Sequence, residues 1–233
     1  MNGTSGEETS TKCPFCGNTT DRATSFCPKC AVSLAPRQLV DWEIERLIEA
    51  GTLVIDPLLC LRGRDGQLGP MSIDLRLDTL FKEFRIMKKE VIDLDERPAE
   101  EDLYRIIELD ADANEHYVLH PGQFVLAQSL EYVALPANIS GRLDGRSTYG
   151  RYGVTIHSTA GGVDNGFRGH LVYELSNNGK MPVKFRPTQR VARLTLSLTS
   201  LVKNPYRGKF QLQVRVKPPI PDITWAHHQP GPH

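Results

Sequence analysis

Short apolar runs constrain this chain more than any other feature. SIDLRL (72–77), FVLAQSL (124–130), VTIHS (154–158), HLVYELS (170–176), VKFRP (183–187) and VARLTLSL (191–198) are rich in β-branched or aromatic residues, and Pro, Gly and Asn punctuate the intervals between them. Runs of this kind read as strands, and many at this spacing make a β-barrel or sandwich. The expected fold class is mainly β, a distorted barrel with few short helices. The clearest helix comes early: Asp41 is placed to cap it, Ile44, Leu47 and Ile48 share one face, and Gly51 ends it. The charged stretch 88–115 reads as a surface excursion with some ordered strand.

Four of the five cysteines fall in one pattern. Cys13-Pro-Phe-Cys16 and Cys27-Pro-Lys-Cys30 are two CxxC pairs separated by ten residues. Each pair suits a knuckle that turns two thiolates toward one ion, and two knuckles complete a tetrahedral zinc site. Two disulfides or free thiols are the alternative, which a reducing compartment disfavours. Cys60, alone in VIDPLLCL, reads as a buried small hydrophobe.

The stretch Asp144–Glu174, DGRSTYGRYGVTIHSTAGGVDNGFRGHLVYE, concentrates the chemistry. Arg146 and Arg151 offer rigid forks of donors to phosphate oxygens. Gly161, Gly162 and Gly166 allow close backbone approach and positive φ. Asp164 sits between glycines, where a tight turn presents it to a ligand. Glu174 interrupts an apolar run; alternation alone could send it to solvent, but Leu171, Tyr173 and Leu175 give either face apolar character that suits a proton-transferring carboxyl. The set fits an anionic, polar ligand undergoing acid/base chemistry, against the plainer reading of turn residues and surface ion pairs.

From about Leu39 to Gln213 the chain resembles the dCTP deaminase and dUTPase superfamily, on the dCTP deaminase side. The landmarks are collinear: LVDWEIERLIEAGTLVIDP, PMSIDLRL, YVLHPGQFVLAQSLEYVALPANISGRLDGRS, HSTAGGVDNGFRGHLVYELSN, MPVKFRP and PYRGKFQLQ. The resemblance implies a dUTPase-like barrel, a homotrimer with sites shared between subunits, and a dCTP or dUTP substrate carried as its Mg2+ complex. It implies that Glu174 moves protons at the base. Ser147 and the turn at Thr159, Ala160 and Gly161 hold water and base, and Arg151 supports the active-site water. Arg146 binds substrate, and Asp164 serves the deoxyribose or a second, hydrolytic water. Tyr206, Lys209, Phe210 and Gln213 belong to a segment that in relatives closes over the triphosphate as a lid. The HxE and PCxxC signature of zinc-dependent deaminases is missing near Glu174, so the Zn2+ of the amino-terminal cysteines reads as structural.

The TAG version of the turn, the GF after Asp164 and the ELSN around Glu174 lean toward enzymes that take dCTP through to dUMP. Gly162 stands where those carry a bulky residue, so deaminase alone, dUTPase alone and a non-catalytic nucleotide sensor stay open. Lys+Arg and Asp+Glu both number 28, giving no net charge to draw nucleic acid. No apolar run is long enough to span a bilayer and the first residues lack a signal core, so a cytoplasmic location is expected and the sequons at Asn2, Asn18 and Asn138 read as accidental. The expected organisation is a disordered tail (1–10), a zinc ribbon (11–34), a nucleotide domain (38–215) and an irregular carboxy-terminal tail (216–233). His227 and His228 in that tail read as exposed, and what the ribbon touches is left open.

Overall fold

The computed structural model describes residues 10–21, 24–63, 65–85, 92 and 99–217. The amino-terminal tail before Ser10, most of the acidic stretch 88–98, and Pro218 onward with His227 and His228 lie outside the described residues. The elements in order are β1 (Ser10–Lys12), β2 (Thr19–Asp21), β3 (Arg37–Gln38), α1 (Asp41–Glu49), β4 (Val54–Asp56), β5 (Leu68–Gly69), β6 (Ser72–Phe84), α2 (Glu100–Leu103) and β7 (Tyr104–Glu108). There follow β8 (Tyr117–Leu119), β9 (Phe124–Ala134), β10 (Ile139–Gly145), α3 (Ser147–Arg151), β11 (Val154–Thr155), β12 (Gly162–Val163), β13 (Arg168–Asn177), β14 (Val183–Phe185) and β15 (Arg190–Leu198).

The protein is mainly β, as the strand runs predict. One sheet runs β11-β13-β9-β6-β15-β10-β12 and curls into a half-barrel. Along it β5 and β7 also pair with β6, β4 with β9, and β3 with β15; β8 and β14 form a separate pair. The curl centres on β6. Its first half, Ser72–Arg76, pairs with β15, and its second half, Leu77–Glu83, pairs with β9. Where the partners change, the register slips on both sides, between Arg190 and Ala192 and between Leu77 and Phe81. Buried polar groups fill that slip. Arg76 donates to Glu131 through Nε (2.6 Å) and its backbone N–H (2.8 Å), and through Nη2 to the Pro57 carbonyl (2.6 Å). Gln67 adds a bond to Glu131 at 2.9 Å. A buried charge pair is tolerable only when its remaining donors and acceptors are satisfied like this.

The apolar core lies inside the curl, with Leu75, Leu77, Phe81, Val125, Tyr173, Leu175 and Leu194 fully covered. Helix α1 buries Ile44 and Leu47 against it, and Gly51 ends the helix at φ +66°. Its start differs from the sequence reading. Val40, not Asp41, is the N-cap, and the cap is supplied from within: Glu43 accepts the Val40 N–H at 3.2 Å. Glu43 tolerates burial because Arg37 pairs with both of its oxygens. Cys60 is also corrected: it is exposed, its Sγ 2.6 Å from the Arg62 carbonyl. The 57–67 loop carries it outward, a path that its apolar neighbours Leu58 and Leu59 do not betray.

Candidate active site

Strand β13 alternates strictly, with Leu171, Tyr173 and Leu175 buried in the core. Glu174 therefore points to the other face, half-buried, with His170 and Val172. Of its apolar sequence neighbours, Tyr173 and Leu175 face the core, while Leu171 and Val172 line the same cleft as the carboxyl. What holds Glu174 is backbone. Oε2 accepts the Ser158 N–H at 2.7 Å and the Thr159 N–H at 3.4 Å, and the Glu174 N–H donates to the Ile156 carbonyl at 2.8 Å.

The turn that supplies these donors is braced in turn by Gly161, whose carbonyl accepts the Leu143 N–H at 2.7 Å. A side chain at Gly161 would meet the His157 ring at 2.6 Å and the Leu143 carbonyl at 2.9 Å, so the position is closed to anything larger. Gly162 differs: a Cβ there meets nothing, and only Gly166 of the three takes positive φ, +84°.

Glu174 opens on a cleft of about 530 Å³ that also holds Ala160, Asp164, Tyr206, Phe210 and Gln213. Asp164 is exposed at its rim, on a turn closed by the Phe167 N–H to the Asp164 carbonyl at 3.1 Å. Tyr206 lies near Phe167, ring centroids 6.0 Å apart, and its hydroxyl accepts the Phe210 N–H at 3.2 Å. Gln213 is buried, bridges to Gly169 of β13, and leaves its Oε1 without a partner. Lys209 is exposed on the same segment and does not line the cleft; its carbonyl accepts from the Lys217 ammonium at 3.1 Å.

Three sequence candidates stand elsewhere. Arg146 pairs with Asp74 at 3.2 Å and donates to the Arg190 carbonyl at 3.1 Å. Ser147 is exposed at the start of α3. Arg151, exposed at the end of α3, lines a separate groove with Tyr152, Lys180, Met181 and Lys184. Within one chain none of the three lines the cleft of Glu174.

The cleft also contains groups that sequence reasoning misses. Phe84, Tyr104 and Phe124 build one apolar wall, with Phe84 4.5 Å from Tyr104 and 5.7 Å from Phe124. Burial pushes the Tyr104 phenol up to about 12. His170 lines the cleft too, its Nδ1 2.9 Å from the Ser129 carbonyl. The GHLVYE run already carries His170; the wall comes from three distant strands and no local signal announces it.

The four amino-terminal cysteines come together as their spacing predicts. Their sulfurs lie within 4.8 Å of one another, with Cys13–Cys30 at 3.7 Å and Cys16–Cys27 at 3.5 Å. Tetrahedral zinc thiolate bonds of about 2.3 Å separate sulfurs by about 3.8 Å, close to these two spacings, so the cluster suits one such ion. None of the four is in a disulfide. Burial pushes the Cys13 thiol up to about 12 and raises that of Cys30, whereas at Cys27 burial is outweighed by the backbone N–H groups of Cys30 and Lys29, which lower the thiol to about 6, so the case for a metal rests on the sulfur geometry.

A model of dCTP deaminase-like proteins matches residues 38–199. The chain belongs to the dCTP deaminase-like family. Among its relatives, the dUMP-forming dCTP deaminase of Methanothermobacter thermautotrophicus is 41% identical over 169 residues, 72% of this chain and 83% of its own length. That of Acidothermus cellulolyticus is 38% identical over 197 residues, 81% of this chain and 96% of its own. The solved 2′-deoxycytidine 5′-triphosphate deaminase of Agrobacterium tumefaciens shares the fold, with a TM-score of 0.54 and 22% identity over 70% of this chain and 49% of that one. The dCTP deaminase-like match begins after the cysteine cluster, which is an addition to the family domain.

Proposed function

We propose that this chain deaminates dCTP to dUTP, releasing ammonia, and carries the product on to dUMP and pyrophosphate. The observation that carries the reading is Glu174, a strand-borne carboxylate fixed by the Ser158 and Thr159 amides and opening on the same cleft as Asp164. In the first step water adds to C4 of the cytosine ring. Glu174 takes a proton from that water and returns one to the amino group, which leaves as ammonia and gives the uracil ring. Asp164, at the rim, suits the deoxyribose hydroxyl and a second water that attacks the α-phosphorus and expels pyrophosphate. The names of the relatives, dUMP-forming dCTP deaminases, support the two-step outcome.

The substrate is the magnesium complex, its ion held chiefly by phosphates and water. Thr159, Ala160 and Gly161 flank the base, Tyr206, Phe210 and Gln213 cover the triphosphate, and Lys209, which stands outside the cleft wall on the same segment, adds a cation to it. Arg146, Ser147 and Arg151 serve the cleft of a second copy in a homotrimer, which accounts for their distance from the cleft of their own chain. The ion at Cys13, Cys16, Cys27 and Cys30 is zinc and structural, because four thiolates leave no open position for a reactant. The setting is the cytoplasmic pool of deoxynucleotides; among the described residues no helix is long and apolar enough to cross a membrane.

The test is to incubate the protein with dCTP and Mg2+ and to follow ammonia, dUTP, dUMP and pyrophosphate. Ammonia with dUMP and pyrophosphate is the expected result. Accumulation of dUTP would restrict the activity to deamination, turnover of dUTP alone would make it a dUTPase, and tight binding without turnover would make it a sensor.

A further inference from the structure

The segment Val214–Lys217 has no regular structure, yet the barrel grips its backbone. Val216 is 2% exposed and packs with Leu80, Leu103, Tyr104 and Leu126, so the expected irregular tail begins as a docked segment. Two buried polar side chains meet it. Gln128 accepts the Val216 N–H at 2.8 Å and donates to the Val214 carbonyl at 3.4 Å, its amide oriented by Asp78 at 2.7 Å. Lys82 donates to the Val216 carbonyl and to Glu100. Only 4% of Lys82 and 3% of Gln128 is exposed. A buried ammonium or amide is costly without partners, and for both residues this segment supplies backbone ones.

Upstream the same stretch is tied again. The Tyr206 N–H donates to the Asn165 carbonyl at 2.8 Å, the Leu212 N–H to the Arg168 carbonyl at 2.7 Å, and the His170 N–H to the Gln213 carbonyl at 2.8 Å. Gly169 makes the last contact possible: at φ +150° its backbone comes so close that a Cβ would sit 2.9 Å from the Gln213 nitrogen.

We infer that Lys82 and Gln128 are positioning residues that clasp the carboxy-terminal segment to the barrel. Tyr206–Gln213 then covers the nucleotide cleft as a loop tied at both ends, and not as a free tail. The inference rests on reading the cleft as the nucleotide site. Its physical consequence is preorganisation: closure does not have to order a free chain each time substrate binds. Neither Lys82 nor Gln128 lines the cleft, so the clasp governs substrate binding and leaves the chemical step alone.

Amide hydrogen exchange of the full chain without nucleotide, together with steady-state kinetics on magnesium dCTP, tests this. The wild-type amides of Leu212 and Val216 should be protected. Lys82→Met and Gln128→Leu should lose that protection and raise KM about tenfold, the scale of one lost hydrogen bond, with kcat within about twofold. Val216→Pro removes the clasped N–H while leaving the barrel residues in place, and should act the same way if the barrel variants fold poorly. Unprotected wild-type amides, or Val216→Pro with unchanged exchange and KM, would overturn the clasp. A wild-type protein inert toward dCTP would refute the proposed function instead, and the exchange data would still judge the clasp.

Discussion

Glu174 owes its place to two local facts, strand alternation that turns it away from the core and a glycine-braced turn that delivers two amides to it. The turn makes a sharp prediction. Gly161→Ala should destabilise by about 1–3 kcal/mol, because the added methyl meets a backbone carbonyl that cannot move aside cheaply. Gly162→Ala, one residue on, should stay within about 0.5 kcal/mol, since its Cβ meets nothing. Chemical denaturation of the two variants checks the contrast; equal effects would contradict it. The sequence points to both glycines but does not tell them apart, because the atoms that crowd Gly161 belong to His157 and Leu143, brought in by the fold. It points to Glu174 through its apolar neighbours, of which Tyr173 and Leu175 belong to the core and Leu171 and Val172 line the cleft.

At the scale of elements, the ribbon and the carboxy-terminal segment depend on outside support. β1 and β2 are three residues each, and a module of this size has too little core to hold itself without its metal. Metal analysis should therefore find about one zinc per chain, and chelation should raise amide exchange in 10–34 before it does so in the barrel. A metal-free protein with a fully protected ribbon would contradict that. The cysteines are legible because spacing alone dictates their chemistry. The start of α1 is not, since Val40 has no capping side chain and the cap comes from Glu43 and Arg37. Nor is the docking of Val216, whose partners Lys82 and Gln128 lie far back in the chain.

Over the whole molecule, the long strand β6 changes partners midway and so curls the sheet around a core and a buried charge cluster. The strand runs announce a mainly β chain; the change of partners and the polar groups that fill it arise from pairing between distant segments, which no local pattern encodes. The same geometry leaves Arg151 and Ser147 on a different surface from Glu174, and the trimer proposed above reunites them across copies. Mixing chains that carry Glu174→Gln with chains that carry Arg151→Ala should then restore ammonia release, because some sites receive an intact residue from each. The central claim, that the Glu174 carboxyl works on the pyrimidine ring, is tested most directly by ammonia release from dCTP by Glu174→Gln alone. A fall of at least about a hundredfold is expected, the scale of a lost general acid–base, with dCTP binding retained. Turnover at the wild-type rate would contradict it.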